Sequence, residues 1–144
     1  MMKKKMTRRM ASLVLAMVAF VLAGPARAVD LKWDPSGGGS SDGTGTWLDA
    51  GKWWDGGANV NWNNTTPDNA TIGNGGTGGT ITLGTVTAGS VVFTNFSGTY
   101  LLQSGSLAQS GGITVAENAS NVTINLPISG TGGLTNNSPG VLYL

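Results

Sequence analysis

Gly111-Gly112-Ile113-Thr114 returns as Gly132-Gly133-Leu134-Thr135, and Gly78-Gly79-Thr80-Ile81-Thr82 is a looser, earlier copy. Apolar positions keep a similar beat around these copies. The intervals from Val91 to Ile113 to Leu134 are 22 and 21, and those along Ile81, Tyr100, Val122 and Val141 are 19, 22 and 19. A period near 20 built from short strands is too short for a helical repeat and matches one coil of a β-solenoid.

The residue types give the physical reason. Ile113-Thr114-Val115 and Val122-Thr123-Ile124-Asn125-Leu126 alternate apolar with polar, so each strand has one apolar face. In a solenoid that face points inward and stacks on the same position of the next coil. Glycine pairs supply the backbone freedom for the corners. The competing architecture is a β-sandwich, whose short strands also recur at a regular spacing. It gives no reason for Gly-Gly-apolar-Thr to return at one interval, so the expectation is all-β and a solenoid.

Charge limits the chemistry of these coils. From Asn69 to Leu144 the one side chain that titrates below about pH 8 is Glu117. Acid–base catalysis needs positioned titratable groups, usually in pairs, and metal sites need clusters of His, Cys or carboxylate. Neither can be assembled from Asn69 onward. Glu117, beside Asn118 and Asn121, reads as a turn residue at the rim of a coil. Gly73-Asn74-Gly75-Gly76-Thr77-Gly78-Gly79 lacks the lysine and the helix of a phosphate cradle and reads as a turn.

The start of the chain differs from the rest. Lys3, Lys4, Lys5, Arg8 and Arg9 precede an uncharged apolar run from Ala11 to Gly24, and Ala26-Arg27-Ala28 closes it with small residues. This is the layout of a cleavable secretory signal over residues 1–28, with Val29 as the new N-terminus. The alternative is a membrane anchor, which needs roughly 20 apolar residues, and Arg27 comes too soon. Processing would remove six of the eight basic residues. Lys32 and Lys52 would then face seven acids, a net charge of −5. Two lysines cannot neutralise a row of phosphates, so nucleic acid is excluded as a partner. Cysteine is absent, so burial and backbone pairing must supply the stability.

Residues 29–68 hold all five tryptophans, Trp33, Trp47, Trp53, Trp54 and Trp62, and six of the seven acids. The tryptophans have two readings. They cover the exposed first coil, as terminal solenoid repeats require, or Trp47, Trp53 and Trp54 offer flat faces to sugar rings, with Asp49 and Asp55 nearby as hydrogen-bonding groups. Asp34, Asp42 and Asp49 around the loop from Ser36 to Gly45 admit calcium as an alternative to a solvated loop. Their spacing fits neither an EF-hand nor a nonapeptide calcium repeat, and neither a metal nor a cofactor is expected.

The stretch Leu31-Lys32-Trp33-Asp34-Pro35 through Gly45-Thr46-Trp47, then Trp53-Trp54-Asp55 and Asn61-Trp62-Asn63, resembles the start of bacterial surface proteins with autotransporter-associated β-strand repeats. Ile128-Ser129-Gly130-Thr131-Gly132-Gly133-Leu134-Thr135, followed by Ser138-Pro139-Gly140-Val141-Leu142-Tyr143-Leu144, is similar to the repeat itself. The resemblance implies a passenger-type, right-handed parallel β-helix, exported and displayed at the outer surface of a bacterium, and it brings no catalytic residues. Family members usually continue through more repeats, some ending in an outer-membrane barrel. The sequence ends at Leu144 within a repeat, so a truncated N-terminal piece is expected, with any membrane contact left to a missing C-terminal part.

The expected organisation is a signal helix over 1–28, a Trp-rich cap over 29–68 and solenoid coils over 69–144. The expected function is a structural or adhesin-type surface segment that is not an enzyme. The alternatives are a carbohydrate-binding module using Trp47, Trp53 and Trp54, and a remnant of a polysaccharide-degrading β-helix enzyme. Expected partners are surface glycans, or a second copy meeting the uncharged C-terminal edge.

Overall fold

The computed structural model describes residues 27–39 and 41–144. The expected signal segment lies almost wholly outside them. The described residues form thirteen strands and no helix. The first five are β1 (Asp30–Trp33), β2 (Gly45–Thr46), β3 (Trp53–Trp54), β4 (Asn59–Val60) and β5 (Asn69–Ile72). Next come β6 (Thr80–Ala88), β7 (Val91–Phe93), β8 (Thr99–Gln109) and β9 (Ile113–Val115). The last four are β10 (Asn121–Asn125), β11 (Ile128–Gly130), β12 (Leu134–Asn136) and β13 (Leu142–Tyr143).

These strands stack as a β-solenoid of about four turns. One sheet runs β12-β9-β7-β5-β1-β3-β4, and the other runs β13-β10-β8-β6-β2 with β11 also on β8. Every pairing is parallel except β1 with β3 and β3 with β4. The inward column Leu31, Ala70, Val91, Ile113, Leu134 is in direct register. The intervals between its last four members are 21, 22 and 21, whereas the interval from Leu31 to Ala70 is 39. The first turn therefore carries the Trp-rich insertion.

The second sheet corrects part of the expected alignment. Tyr100 does stand beside Val122, but Ile81 stands beside Leu102 and Val122 beside Leu142. The reason is local. Thr80 pairs with Leu101, so the position before it, opposite Tyr100, is Gly79. No apolar side chain exists there to stack on the ring.

β6 and β8 each bend in the middle. Ile81 and Leu83 are buried, then Val86 and Ala88, so the inward phase changes at Gly84-Thr85. In β8 it changes at Ser104-Gly105, between Tyr100 and Leu102 on one side and Leu107 and Gln109 on the other. Gly84 and Gly105 face each other at this corner with φ of 75° and 145°, conformations that glycine adopts without strain. In the next coil Pro127, which has no N–H for the ladder, splits the strand outright into β10 and β11. One coil thus has three straight segments around one core.

Ile72, Phe93 and Val115, then Ile81, Leu102 and Ile124, form further inward columns, all buried. Each such side chain stabilises by roughly 1.5–3 kcal/mol. The two ends differ. β3 and β4 fold back over the outer edge of β1, while the last coil leaves Leu134, Val141, Tyr143 and Leu144 exposed.

Candidate functional site, the tryptophan-rich cap

Alternation along β1 turns Leu31 and Trp33 inward. The antiparallel pairing of Trp33 with Trp53 brings a second ring to the same place. Trp53 then lies 5.2 Å from Trp33, 4.6 Å from Trp47 and 4.7 Å from Trp62, and Trp47 and Trp62 are 5.0 Å apart. The rings meet tilted or edge-on, as aromatic quadrupoles favour. Three indoles find backbone acceptors: Trp33 Nε1 donates to Gly43 O, Trp53 Nε1 to Trp47 O and Trp62 Nε1 to Thr87 O, at 3.0, 2.9 and 3.1 Å. Trp47 Nε1 is buried without a hydrogen-bond partner.

This bears directly on the three rings named as a sugar platform. Trp47 and Trp53 have no exposed surface and so offer no face to a ligand. Trp54, the next residue along β3, points the other way, is partly exposed and lies beside Gly39. The fold therefore does not bring the three together on one surface.

Three carboxylates tie the insertion down; the sequence offered Asp34 and Asp42 only as solvated-loop or calcium candidates and did not single out Asp68. Asp34 is fully buried. Its Oδ1 accepts the hydroxyls of Ser36 and Ser41 at 2.9 and 2.8 Å, and its Oδ2 accepts Gly39 N–H and Asn59 Nδ2 at 2.7 and 2.8 Å. Burial alone would push this carboxyl up, but the donors from Asn59, Ser41, Gly39 and Ser36 together outweigh it and hold it well below the usual range. Asp42 accepts Tyr100 Oη on Oδ1 at 2.6 Å, and Asn74 N–H and Gly76 N–H on Oδ2 at 2.9 and 2.6 Å. The glycine-rich turn does cradle an anion, and that anion is the chain's own carboxylate. Burial, then the hydrogen bond to Asp42, pushes the Tyr100 phenol up. Asp68, also buried, accepts Val29 N–H and Asn63 N–H.

Asp34 and Asp42 share no donor, and Asp49 is exposed elsewhere. Among the described residues no group of three His, Cys, Asp or Glu side chains is placed to hold a metal ion. Asp55, exposed, closes a turn by accepting Ala58 and Gly57 N–H, which lower its carboxyl. Glu117 is exposed on a distant coil. A local signal was present for Asp34 alone, as Asp34-Pro35-Ser36 in a Gly/Ser loop, a pattern that favours turns closed by the side chain.

No protein-family model, curated protein or solved structure matches the chain.

Asp34 makes a testable contribution. Asp34→Ala is expected to destabilise the chain by roughly 1.5–3 kcal/mol, the net worth of hydrogen bonds to a charged group. A lowered folded pKa means that this stabilisation is complete above the unfolded value of about 3.9 and fades as pH falls towards the folded one. Urea titrations should show the gap between wild type and variant narrowing below about pH 4. A gap that stays constant from pH ~4 to ~2 would contradict the assignment.

Proposed function

We propose that the chain is an exported β-solenoid segment of a cell-surface, autotransporter-passenger-like protein, structural or adhesin-type, with no catalysis of its own. The observation that carries the reading is the outward face of the coils. Thr71, Val92, Thr114 and Thr135 form one outward column, and Thr82, Gln103 and Asn125 form another. These are uncharged side chains repeated at the spacing between strands, about 4.8 Å. Such a face suits many weak contacts along a rod better than one chemical step.

The test is display and processing. With the full chain expressed in a bacterial host, exported material should begin at Val29 and be removed from intact cells by external protease. Intact Met1 on a cytoplasmic protein would remove the basis for the reading. The carbohydrate alternative now rests on Trp54 alone. A glycan-array signal lost on Trp54→Ala with unchanged melting would favour it.

The exposed C-terminal edge fits pairing with a second copy. Leu134, Val141, Tyr143 and Leu144 are 41, 48, 58 and 76% exposed, and among the described residues no charge, no proline inside either strand and no covering strand guards β12 and β13 as edges usually require. Light scattering of the processed chain should show self-association that weakens when Val141→Lys and Tyr143→Lys are combined. A stable monomer with a protected β13 in hydrogen exchange would count against it.

A further inference from the structure

Asp68 is a buried carboxylate whose two partners are both neutral amides. Its Oδ1 accepts Val29 N–H at 3.0 Å and its Oδ2 accepts Asn63 N–H at 3.3 Å, with the residue 5% exposed. The parallel register that pairs Asp30 with Asn69 puts Val29 beside Asp68 at the start of the first coil. Asn69 N–H also donates to Val29 O at 2.9 Å, and Leu31, two residues on, is anchored in the core. The fold therefore holds the Val29 nitrogen against a carboxylate oxygen from the far side of the first turn.

We propose that Val29 is the processed N-terminus and that Asp68 is the receptor for its α-ammonium, so that removal of the leader turns an amide-to-carboxylate hydrogen bond into an ion pair clamping the first coil. This rests on the export reading, and specifically on scission after Ala28. A peptidase supplies the step by hydrolysis. Water adds its oxygen to the Ala28 carbonyl carbon, the Ala28–Val29 bond breaks, and the Val29 nitrogen departs as an amine that takes a proton at neutral pH. The nitrogen already stands at hydrogen-bonding distance from its receptor. A buried carboxylate gains more from a cationic donor than from an amide.

The charged groups around Val29 act on both sides. Asp68 faces it across the turn, and Asp30 follows it in the chain with Oδ1 on Asn69 Nδ2 at 2.8 Å. Lys32 is exposed on β1, and Arg27 leaves with the leader. Two carboxylates favour the ammonium and one lysine opposes it, so the α-amine should titrate above its ordinary value of about 7.7–8.0. A raised folded value stabilises fully below the ordinary value and loses that stabilisation as pH rises through the raised one.

The experiment compares exported wild type with exported Asp68→Asn. N-terminal sequencing reads the processing, and NMR titration of the α-amine reads the pairing. The expected result is a start at Val29, with a wild-type α-amine titrating about one pH unit above the ordinary range and returning to it in Asp68→Asn. A processed chain that keeps Ala28 should give the same return if Asp68→Asn fails to fold. A start at another residue overturns the scission and the proposal together. A start at Val29 with an ordinary α-amine in wild type overturns the Asp68 pairing alone and leaves export standing.

Discussion

Replacing Trp53 with alanine should lower the unfolding free energy by about 3–5 kcal/mol, the cost of deleting a buried aromatic. Trp53 has no exposed surface and packs against Trp33, Trp47 and Trp62. Its loss would open a cavity among the packed rings and would free the Trp47 carbonyl that its indole N–H now occupies. Trp54→Ala, on the opposite face of the same strand, should cost less than half as much. Urea unfolding followed by circular dichroism measures both. Near-equal small effects would mean that the rings do not act as a cap, and would reopen the platform reading for Trp47 and Trp53.

Gly105→Ala is the second large effect. The backbone there sits at φ 145°, which costs a non-glycine residue about 1–3 kcal/mol. An added Cβ would also overlap the Gly84 carbonyl of the coil before it. Backbone cannot swing aside as a side chain can, so the two coils must separate at the corner and the total should exceed the strain alone. Gly133→Ala is the control, because nothing lies within 4 Å of its Cβ and its φ is not positive. It should stay within about 0.5 kcal/mol of wild type. Equal effects at the two positions would argue against the stacked corner.

The coils were legible because their determinants are local and periodic. Val91, Ile113 and Leu134, aligned by the spacing of apolar positions around the Gly-Gly repeat, are in direct register in the structure. The second sheet was less legible because its register depends on corner length. Ile81 meets Leu102 only because Gly84 and Gly105 align, and no apolar count reveals that. The preference for a cap over a platform rested on where the tryptophans cluster, and the burial of four of them agrees with it. Which of Trp53 and Trp54 turns inward depends on β3 running antiparallel to β1, a long-range choice with no signature in two residues. Asp34 and Asp42 read as solvated loop residues because acids among Gly and Ser usually are, and Asp68, between Pro67 and Asn69, carries no such local signal. Each also takes a donor from far along the chain, Asn59, Tyr100 and Val29 in turn, which are 25, 58 and 39 positions away.

Spin-label distances along the outward column test the stacked coils most directly. The chain has no cysteine, so cysteine pairs can be placed at Thr114 and Thr135, at Val92 and Thr135, and at Thr71 and Thr135 without background. Successive members of this column are strand partners, so the backbone separations should grow in equal steps of about 4.8 Å, to roughly 14 Å across three coils. Label distances rising in that order by near-constant increments are the predicted result. A Thr71–Thr135 distance shorter than the Val92–Thr135 distance would contradict the solenoid, as would one well beyond the reach of three strand spacings plus the two label arms.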